Sequence, residues 1–146
     1  MLRMMCDNVP DVIWAKNKKG EYLFANKAIC EELLSAKDTE EPIGKTDMFF
    51  AHRERDSHPK DQQWHTFGEV CVNSDEITLQ LNKPKRFEEF GNVRGKYMIL
   101  DVNKAPFVDD KGEVIGTVGC GRIMTEEREL ENKYRSILQQ YELMAQ

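Results

Sequence analysis

The stretch Asp109-Asp-Lys-Gly-Glu-Val-Ile-Gly-Thr-Val-Gly-Cys-Gly-Arg-Ile-Met-Thr125 combines a turn with a long strand rich in Val, Ile and Gly. An Asx residue at the first position and Gly112 at the fourth are typical of a type I turn followed by a residue with positive φ. Only Thr125 separates the strand from a charged helix that begins at Glu126. A small domain that passes from a strand directly into such a helix indicates a sensor that transmits its state, rather than an enzyme.

The predicted exit helix, residues 126–146, has apolar side chains at heptad spacing. Successive members are separated by four, three, four and three residues, as the d and a positions of a coiled coil are. The same stripe would also suit a helix that folds back onto its own sheet, and two heptads do not distinguish these arrangements. We expect a parallel homodimer in which this helix leads to an output domain of a longer parent chain. The predicted seam consists of Leu130, Tyr134, Ile137, Tyr141 and Met144.

Four further strands are predicted upstream from apolar patterns and turn signals. The turn Asn17-Lys-Lys-Gly20 has the same Asx-x-Lys-Gly chemistry as the turn at Asp109. Pro106 falls inside the longest predicted strand, so we expect it at a sheet edge or a bulge. With the strand of the exit stretch, the predicted strands cover residues 12–16, 22–25, 86–90, 96–108 and 114–124.

Helices are predicted between the second and third strands. Asn26 is a good N-cap for the first of them, and Pro59 is able to open the last, with Trp64, Phe67 and Cys71 on one face. The order of elements indicates an α+β fold, in which an antiparallel sheet has its helices inserted after the second strand. The predicted helices cover residues 27–34, a short segment from residue 46 or 47, and residues 60–72, followed by a break at 73–75.

The composition is that of an ordinary globular domain. The 146 residues are 40% hydrophobic and 32% charged, and the net charge of −5 argues against a nucleic-acid or anionic-membrane surface. The longest apolar runs fall far short of the 18 or so residues of a membrane span, so we expect a cytosolic segment, whose parent could still be membrane-anchored. Four cysteines lie far apart without metal-ligand spacing, as expected of reduced thiols: Cys6, Cys30, Cys71 and Cys120.

Three motifs, in this order, resemble those of the PAS (Per-Arnt-Sim) family. Asp11-Val-Ile-Trp-Ala-Lys-Asn-Lys-Lys-Gly20 and the following residues to Ala28 look like its opening hairpin with the helix-capping Asn26. Pro42-Ile-Gly-Lys45 is similar to its short motif before the middle helix, and Lys104 to Gly116 resembles its closing PAC hairpin. The resemblance covers about residues 7–128. It implies a five-stranded antiparallel sheet around a small-molecule pocket, with a sensory domain at 1–125 and a C-terminal signalling helix at 126–146.

The resemblance also shows one departure at the exit. The family usually leaves the sheet through an Asp-Ile/Val-Thr triplet, whose acidic residue helps to hold the sheet to the outgoing helix. The aligned residues here are Ile123-Met124-Thr125, so only Thr125 remains as a predicted relay residue. The acidic coupling contact is therefore missing.

The resemblance suggests a pocket, but the residues alone leave its ligand open. Noncovalent flavin has no supporting motif, the reactive Asn-Cys-Arg-Phe run of the light-sensing subclass is absent, and His65 would be the ligand if haem were bound. No cofactor is required by the sequence. The six candidate wall residues would equally well fill a dry core: Phe49, Trp64, Phe67, Tyr97, Val118 and Cys120.

The sequence thus predicts a sensory module of a bacterial-type signalling protein, such as a sensor histidine kinase or a diguanylate cyclase. It would bind a small molecule, dimerise, or both, and act on an output domain through the exit helix. The alternatives are a ligand-free dimerisation scaffold and a haem- or flavin-bearing redox or gas sensor. No catalytic motif is present, so we expect the segment itself not to be an enzyme.

Overall fold

In a computed structural model, which describes residues 1–145, five antiparallel strands form one sheet in the order β2-β1-β5-β4-β3. The predicted α+β fold, with helices between the second and third strands and a helix after the fifth, is confirmed. Gln146, the last residue of the predicted exit helix, lies outside the described residues. The strands are β1 Val12–Asn17, β2 Tyr22–Ala25, β3 Lys85–Val93, β4 Lys96–Val108 and β5 Val114–Ile123.

Five α-helices accompany the sheet within residues 1–145, and one of them continues as a π-helical turn. None of these helices combines the length and apolar composition needed to cross a bilayer. The short α1 was not predicted. The helices are α1 Leu2–Asp7, α2 Lys27–Ile29 with the π-helical turn Cys30–Leu34, α3 Asp47–Ser57, α4 Phe67–Leu81 and α5 Thr125–Met144.

Asn26 is the N-cap of α2, as predicted, and its side chain also ties three segments together. Its Oδ1 accepts hydrogen bonds from the backbone amides of Ile29 and Ile13, at 3.2 and 3.0 Å. Its Nδ2 donates to the carbonyl oxygens of Cys6 and Asp11, at 2.9 and 2.8 Å. One buried amide thus joins the end of α1, the start of β1 and the first turn of α2.

The prediction of a helix over 60–72 with a break at 73–75 is wrong. The chain forms turns up to Thr66, whose backbone amide and hydroxyl pair with Asn92 of β3, and α4 begins only at Phe67. The helix continues through the predicted break, where Ser74 and Asp75 are buried and pair with side chains of the sheet. It ends at Asn82, which has a left-handed conformation with φ of 51°.

The predictions for Pro106 and for the two Asx-x-Lys-Gly turns are confirmed. Pairing of β3 with β4 stops at Lys104, so Pro106 lies beyond the end of β3 and needs no partner on that side. Gly20 and Gly112 have φ of +80° and +81°, as their turns require. In both turns the Asx side chain accepts hydrogen bonds from two following backbone amides.

The core lies between the inner face of the sheet and the inserted helices. Gly119 of β5 lies beneath the ring of Trp14, and a Cβ at this position would collide with that ring. The room left by the glycine-rich strand is therefore filled by a side chain of the neighbouring strand. Among the buried core residues are Val12, Trp14, Tyr22, Ile29, Leu33, Phe50, Phe67, Leu100 and Val102.

Candidate functional site

Two lysines lie at inward positions of the sheet and are buried in the core. Lys16 follows the inward Trp14 by two residues in β1, and Lys104 follows the inward Val102 by two residues in β4. Each lysine is only 1% exposed. Because side chains alternate between the faces of a strand, these ammonium groups must find their partners inside the protein.

The partners come from the helices that cover the sheet. Lys16 Nζ donates to Asp47 Oδ2 at 2.5 Å and to Asp75 Oδ2 at 2.7 Å. Lys104 Nζ donates to the other oxygen of Asp75, at 2.8 Å. Asp47 is the first residue of α3 and Asp75 lies in the middle of α4. The two carboxylates thus hold both helices to β1 and β4.

Three more side chains complete this buried cluster. The Tyr22 hydroxyl donates to Asp47, and the Ser74 hydroxyl donates to Glu89 Oε2. Lys104 Nζ lies 2.6 Å from Ser74 Oγ and 3.4 Å from Glu89 Oε2. We call the following set the buried cluster: Lys16, Tyr22, Asp47, Ser74, Asp75, Glu89 and Lys104.

Neighbouring charges and burial shift the pKa values of Lys16, Asp75 and Tyr22 in the cluster. Burial by itself would lower the pKa of Lys16, but the carboxylates of Asp47 and Asp75 outweigh this effect and raise it. Burial opposes ionisation of Asp75, yet Lys16 and Lys104 together lower its pKa. Burial and the nearby Asp47 raise the pKa of Tyr22, which stays a neutral hydrogen-bond donor.

Two buried polar atoms beside the cluster have no hydrogen-bond partner. One is Nε1 of Trp14, whose ring centroid lies 5.5 Å from Lys16 Nζ and 5.4 Å from Lys104 Nζ. The other is Oε1 of Glu89. Buried polar groups are nearly always paired, so an unpaired donor and an unpaired acceptor here mark the region as able to take a further polar group.

A cavity of about 280 Å³ adjoins the cluster. It lies between the β1–β2 turn, the start of α3 and one face of α4, and Asp47, Asp75 and Thr117 form its inner wall. This volume is close to the lower end of the range for small-molecule sites. The cavity gives a small molecule access to the two carboxylates that hold the helices.

The structure does not bring the six predicted pocket residues together. Of the six, only Phe67 is fully buried, whereas Phe49 and Tyr97 are 41% and 55% exposed. Trp64 lies outside α4, stacks on His58 and donates from its indole nitrogen to Glu54. None of these four lines the cavity beside the cluster.

Val118 and Cys120 lie on the opposite face of the sheet from the core, which corrects their prediction as walls of an inner pocket. The inward residues of β5 are Thr117, Gly119 and Gly121, so Val118 and Cys120 point to the outer face of the sheet. There they line a separate apolar depression of about 480 Å³ next to α1. The sequence does not reveal which residues of β5 point inward, because two of the inward positions are glycines and the larger apolar side chains point outward.

The buried cluster itself was not predicted, although the sequence contains a signal for it. Lys16 and Lys104 each continue an alternating run of inward apolar residues, and a lysine in such a position requires a buried acid. The acids that pair with Lys16, Asp47 and Asp75, are distant in sequence. Only the packing of α3 and α4 on the sheet brings them together.

The histidines give no support to haem. His65 is buried just before α4, its Nδ1 has no partner, and burial lowers its pKa. None of the three histidines lines the cavity beside the cluster. Within residues 1–145, no three His, Cys, Asp or Glu side chains are grouped so that they could hold a metal ion.

The start of α5 is joined to the sheet although the acidic residue of the family motif is missing. Thr125 Oγ1 accepts a hydrogen bond from the Ile99 amide at 3.0 Å, and the Met124 amide donates to the Ile99 carbonyl at 2.8 Å. Arg128 forms an ion pair at 2.5 Å with Glu88 of β3. These contacts join the first turn of α5 to β3 and β4 where an acidic residue at 123 was expected.

The predicted seam of α5 is exposed. Its members are between 52% and 85% exposed, and no residue of α5 is buried. The helix therefore does not fold back onto its own sheet, one of the two arrangements that the spacing left open. The seam residues Leu130, Tyr134, Ile137, Tyr141 and Met144 have no apolar cover within the described chain.

Comparison with known proteins agrees with this geometry. A family model described as the PAS fold matches residues 6–129. A search of curated proteins gave no significant match. The solved Bordetella pertussis BvgS PAS domain superposes with a TM-score of 0.55 at 20% identity, covering 94% of this chain and 95% of that one.

Two other solved structures are also similar. Vibrio cholerae VqmA, in a complex with ligand and DNA, gives a TM-score of 0.66 at 19% identity over 86% of this chain. A PAS domain from a two-component sensor histidine kinase gives 0.54 at 10% identity, covering 84% of this chain and 92% of that one. At these identities the likeness shows the fold alone. This chain spans only about half of VqmA, 52% of its length.

Proposed function

The chain belongs to the PAS fold family, and we propose that it is the sensory module of a larger signalling protein. In this proposal a small molecule binds beside the buried cluster, and its binding changes the state of an output domain through β5 and α5. The observation that supports it is the position of the cavity. Its walls include Asp47 and Asp75, the carboxylates that hold α3 and α4 to the sheet.

The relay would run along β5. Thr117 of β5 lines the cavity, and the same strand ends at Ile123, two residues before α5 begins. A ligand that competes for the carboxylates would alter the packing of helices against this strand. To act as a signal it must bind one packing more tightly than another.

The parent protein and the partner belong to the same proposal. We place the segment in a bacterial-type signalling protein such as a sensor histidine kinase or a diguanylate cyclase, as a homodimer joined along the α5 seam. The exposure of that seam and the likeness to a sensor histidine kinase PAS domain support this choice. The segment itself acts by binding rather than by catalysis.

A ligand-free dimerisation scaffold is the second candidate, and one observation favours it. Both lysines of the buried cluster are already paired with carboxylates of the same chain, so their charges need no ligand as a partner. The scaffold shares the homodimer of the first proposal and differs from it in having no ligand.

Mass spectrometry of the natively purified protein separates the two candidates. We expect a small molecule to copurify, and its removal to change the emission of Trp14. The substitution Trp64→Phe leaves Trp14 as the only tryptophan, so its emission reports on the cluster alone. The scaffold is favoured if the measured mass is that of the polypeptide alone and if no compound of a metabolite library changes the emission of Trp14.

A second experiment tests the relay. The chain is fused through α5 to a reporter kinase, and Ile137→Lys is introduced into the seam. We expect the response to be lost, whereas Gln139→Lys adds the same charge away from the seam and keeps it. An unchanged response in the Ile137 variant contradicts transmission through this helix.

A further inference from the structure

The outer face of the sheet, opposite to the core, has an apolar depression of about 480 Å³, which we call the outer depression. Outward residues of three strands line it, among them Ile13, Ala105 and Val118. Lys104 is the only charged residue in its lining, and the side chain of Lys104 is buried on the inner face. Cys120, which also lines it, is exposed, so the outer depression is open to solvent within the described residues.

The short helix α1 lies beside the outer depression and presents apolar side chains to solvent. It is attached to the domain by polar contacts: Arg3 donates to the Ala25 carbonyl at 3.2 Å, and Asp7 accepts from the Lys27 amide at 2.9 Å. No residue of α1 is buried. Its exposed apolar side chains, each at least 60% exposed, are those of Leu2, Met4 and Met5.

A protruding apolar helix and an apolar depression, side by side on one face, form a self-complementary surface. In a two-fold symmetric dimer both copies use the same patch, so each contact of α1 with the partner's sheet has a reciprocal counterpart. One such contact covers the outer depressions and the exposed side chains of α1 in both copies. A second copy of this chain therefore suits the surface.

The charges around the outer depression also permit two identical chains to meet. The net charge of −5 opposes association of copies in general. Beside the depression, however, acids and bases are paired within the chain. Arg3 Nη1 lies 3.7 Å from Asp7 Oδ1, and Arg122, the next outward residue of β5 after Cys120, lies 3.6 Å from Asp11. Two copies can thus meet on this patch without bringing unpaired like charges together.

The α5 seam by itself is a small surface for a stable dimer. Specific interfaces typically bury about 800 Å² on each partner, with about 20–30 residues a side. The seam has five apolar residues. Since Arg128 in the first turn of α5 pairs with the outward Glu88 of β3, α5 leaves from the side of the sheet on which the outer depression lies. The outer depression is therefore placed to add the missing contact area.

We propose that the outer face is a second contact surface of the homodimer, in which α1 of each copy packs into the outer depression of the other. This inference rests on the proposed function, in which the chain dimerises along α5, and deepens it by naming the surface that completes the contact. With both contacts made, the two sheets are fixed relative to the paired α5 helices.

Lysine substitutions test the outer depression and α1 separately. Val118→Lys places a charge in the depression, so we expect the dissociation constant of the dimer, measured by sedimentation velocity, to rise at least about ten-fold. Met5→Lys on the exposed side of α1 should weaken the dimer to a similar extent. Ile115→Lys makes the same change at an exposed position of β5 outside the depression and should leave the constant as it was. If the Val118 variant does not fold, the Met5 variant decides, because Met5 is exposed in the single chain.

Cross-linking tests the reciprocal contact directly. Cys6 of α1 and Cys120 of β5 are the accessible thiols, since Cys30 and Cys71 are buried. One full chain carries Cys6→Ser and another Cys120→Ser, so neither has both accessible thiols. After treatment of the mixture with a short bismaleimide, we expect a cross-linked peptide pair that contains Cys6 and Cys120 and must come from two chains. The same mixture diluted below the dissociation constant should give none.

The outcomes also separate this inference from the proposed function. If Val118→Lys and Met5→Lys leave the dissociation constant unchanged and the cross-linked pair does not form, the second contact is overturned. The same result is expected if a small apolar molecule or another protein covers the outer depression. The homodimer of the proposed function stands in that case if Ile137→Lys still weakens it. A chain that is monomeric at every concentration overturns both.

Discussion

The interior of the domain and its exit helix distribute their side chains in opposite ways. Inside, five charged residues are at most 8% exposed; outside, the five seam residues of α5 are at least 52% exposed. The buried charges find their partners in the same chain, whereas the apolar seam finds none in the described residues. Substitutions in the first region should therefore change folding, and substitutions in the second should change association.

The largest expected effect is that of Asp75→Ala in the buried cluster. The change removes the carboxylate that pairs with both lysines, so that Lys16 keeps only Asp47 as an acidic partner and Lys104 keeps only the more distant Glu89. Breaking one side of a buried ion pair typically costs about 3–5 kcal/mol of the free energy of unfolding. Urea denaturation followed by circular dichroism measures the loss.

Glu131→Ala is the matched control in the other region. Glu131 pairs with Arg135 at 2.9 Å on the surface of α5, where such a pair contributes about 1 kcal/mol or less. Similar losses for the two variants would contradict the contrast between interior and exit helix.

The next effect concerns association. In the homodimer proposed above, Ile137→Lys places a charge in the middle of the seam of each copy, so that two buried apolar side chains are lost. At about 1.5–3 kcal/mol for each, the dissociation constant should rise by roughly two orders of magnitude or more. Sedimentation velocity over a concentration series measures it, and the free energy of unfolding of the sheet domain should be almost unchanged.

Gln139→Lys is the control for this change. Residue 139 lies two positions past Ile137, at the heptad position opposite the seam, and is exposed. A chain that is monomeric at every concentration, or a dimer equally weakened by both lysines, would show that the seam is not the interface.

The same contrast explains which features could be predicted from the sequence. The strands and the Asn26 cap depend on local periodicity and capping, and the structure has them close to the predicted positions. The cluster depends on tertiary packing: Asp75 lies 28 positions beyond Asp47 and meets Lys16 only when α4 lies on the sheet. Ser74 and Asp75 read as a helix break because their partners are not visible in sequence.

The six predicted wall residues lie apart for a related reason. The prediction relies on aromatic residues, but none lines the cavity, and Trp14 is held in the core over Gly119. Parity would have placed Val118 and Cys120 outside had β1 been used as the reference, because Gly119 is the partner of the inward Trp14. Which residues line a cavity thus depends on tertiary packing, whereas the strands and helices themselves follow from local sequence patterns.

A smaller effect is expected where the two regions meet. Thr125→Val removes the acceptor of the Ile99 amide, and a partly buried amide without a partner costs about 1–3 kcal/mol. Hydrogen exchange at Ile99 should accelerate, with a modest loss of stability. Thr125→Ser keeps the hydroxyl and should behave like the unsubstituted chain; equal exchange in the Val and Ser variants would show that the hydroxyl does not hold the exit.

The smallest effect is a dependence of stability on pH that belongs to the interior only. Burial lowers the pKa of His65, with Glu54, Arg55, Glu69 and Arg94 as its charged neighbours, so the folded state holds this ring neutral. The unfolded chain binds the proton more readily below about pH 6.5, and the free energy of unfolding therefore decreases as pH falls from 7.5 towards 5.5. The lowered pKa of Asp75 acts only at lower pH, because that contribution is lost below the ordinary range near 4.

Thermal unfolding across this pH window, with His65→Gln and the exposed His52→Gln compared, isolates the contribution of the buried ring. We expect the slope to flatten only in the His65 variant. Because α5 contains no histidine, the dissociation constant of the proposed homodimer should change little over the same window. A slope that persists in His65→Gln would assign the pH dependence to other groups, and a dimer that weakens in parallel would show that the interior and the seam respond together to protonation.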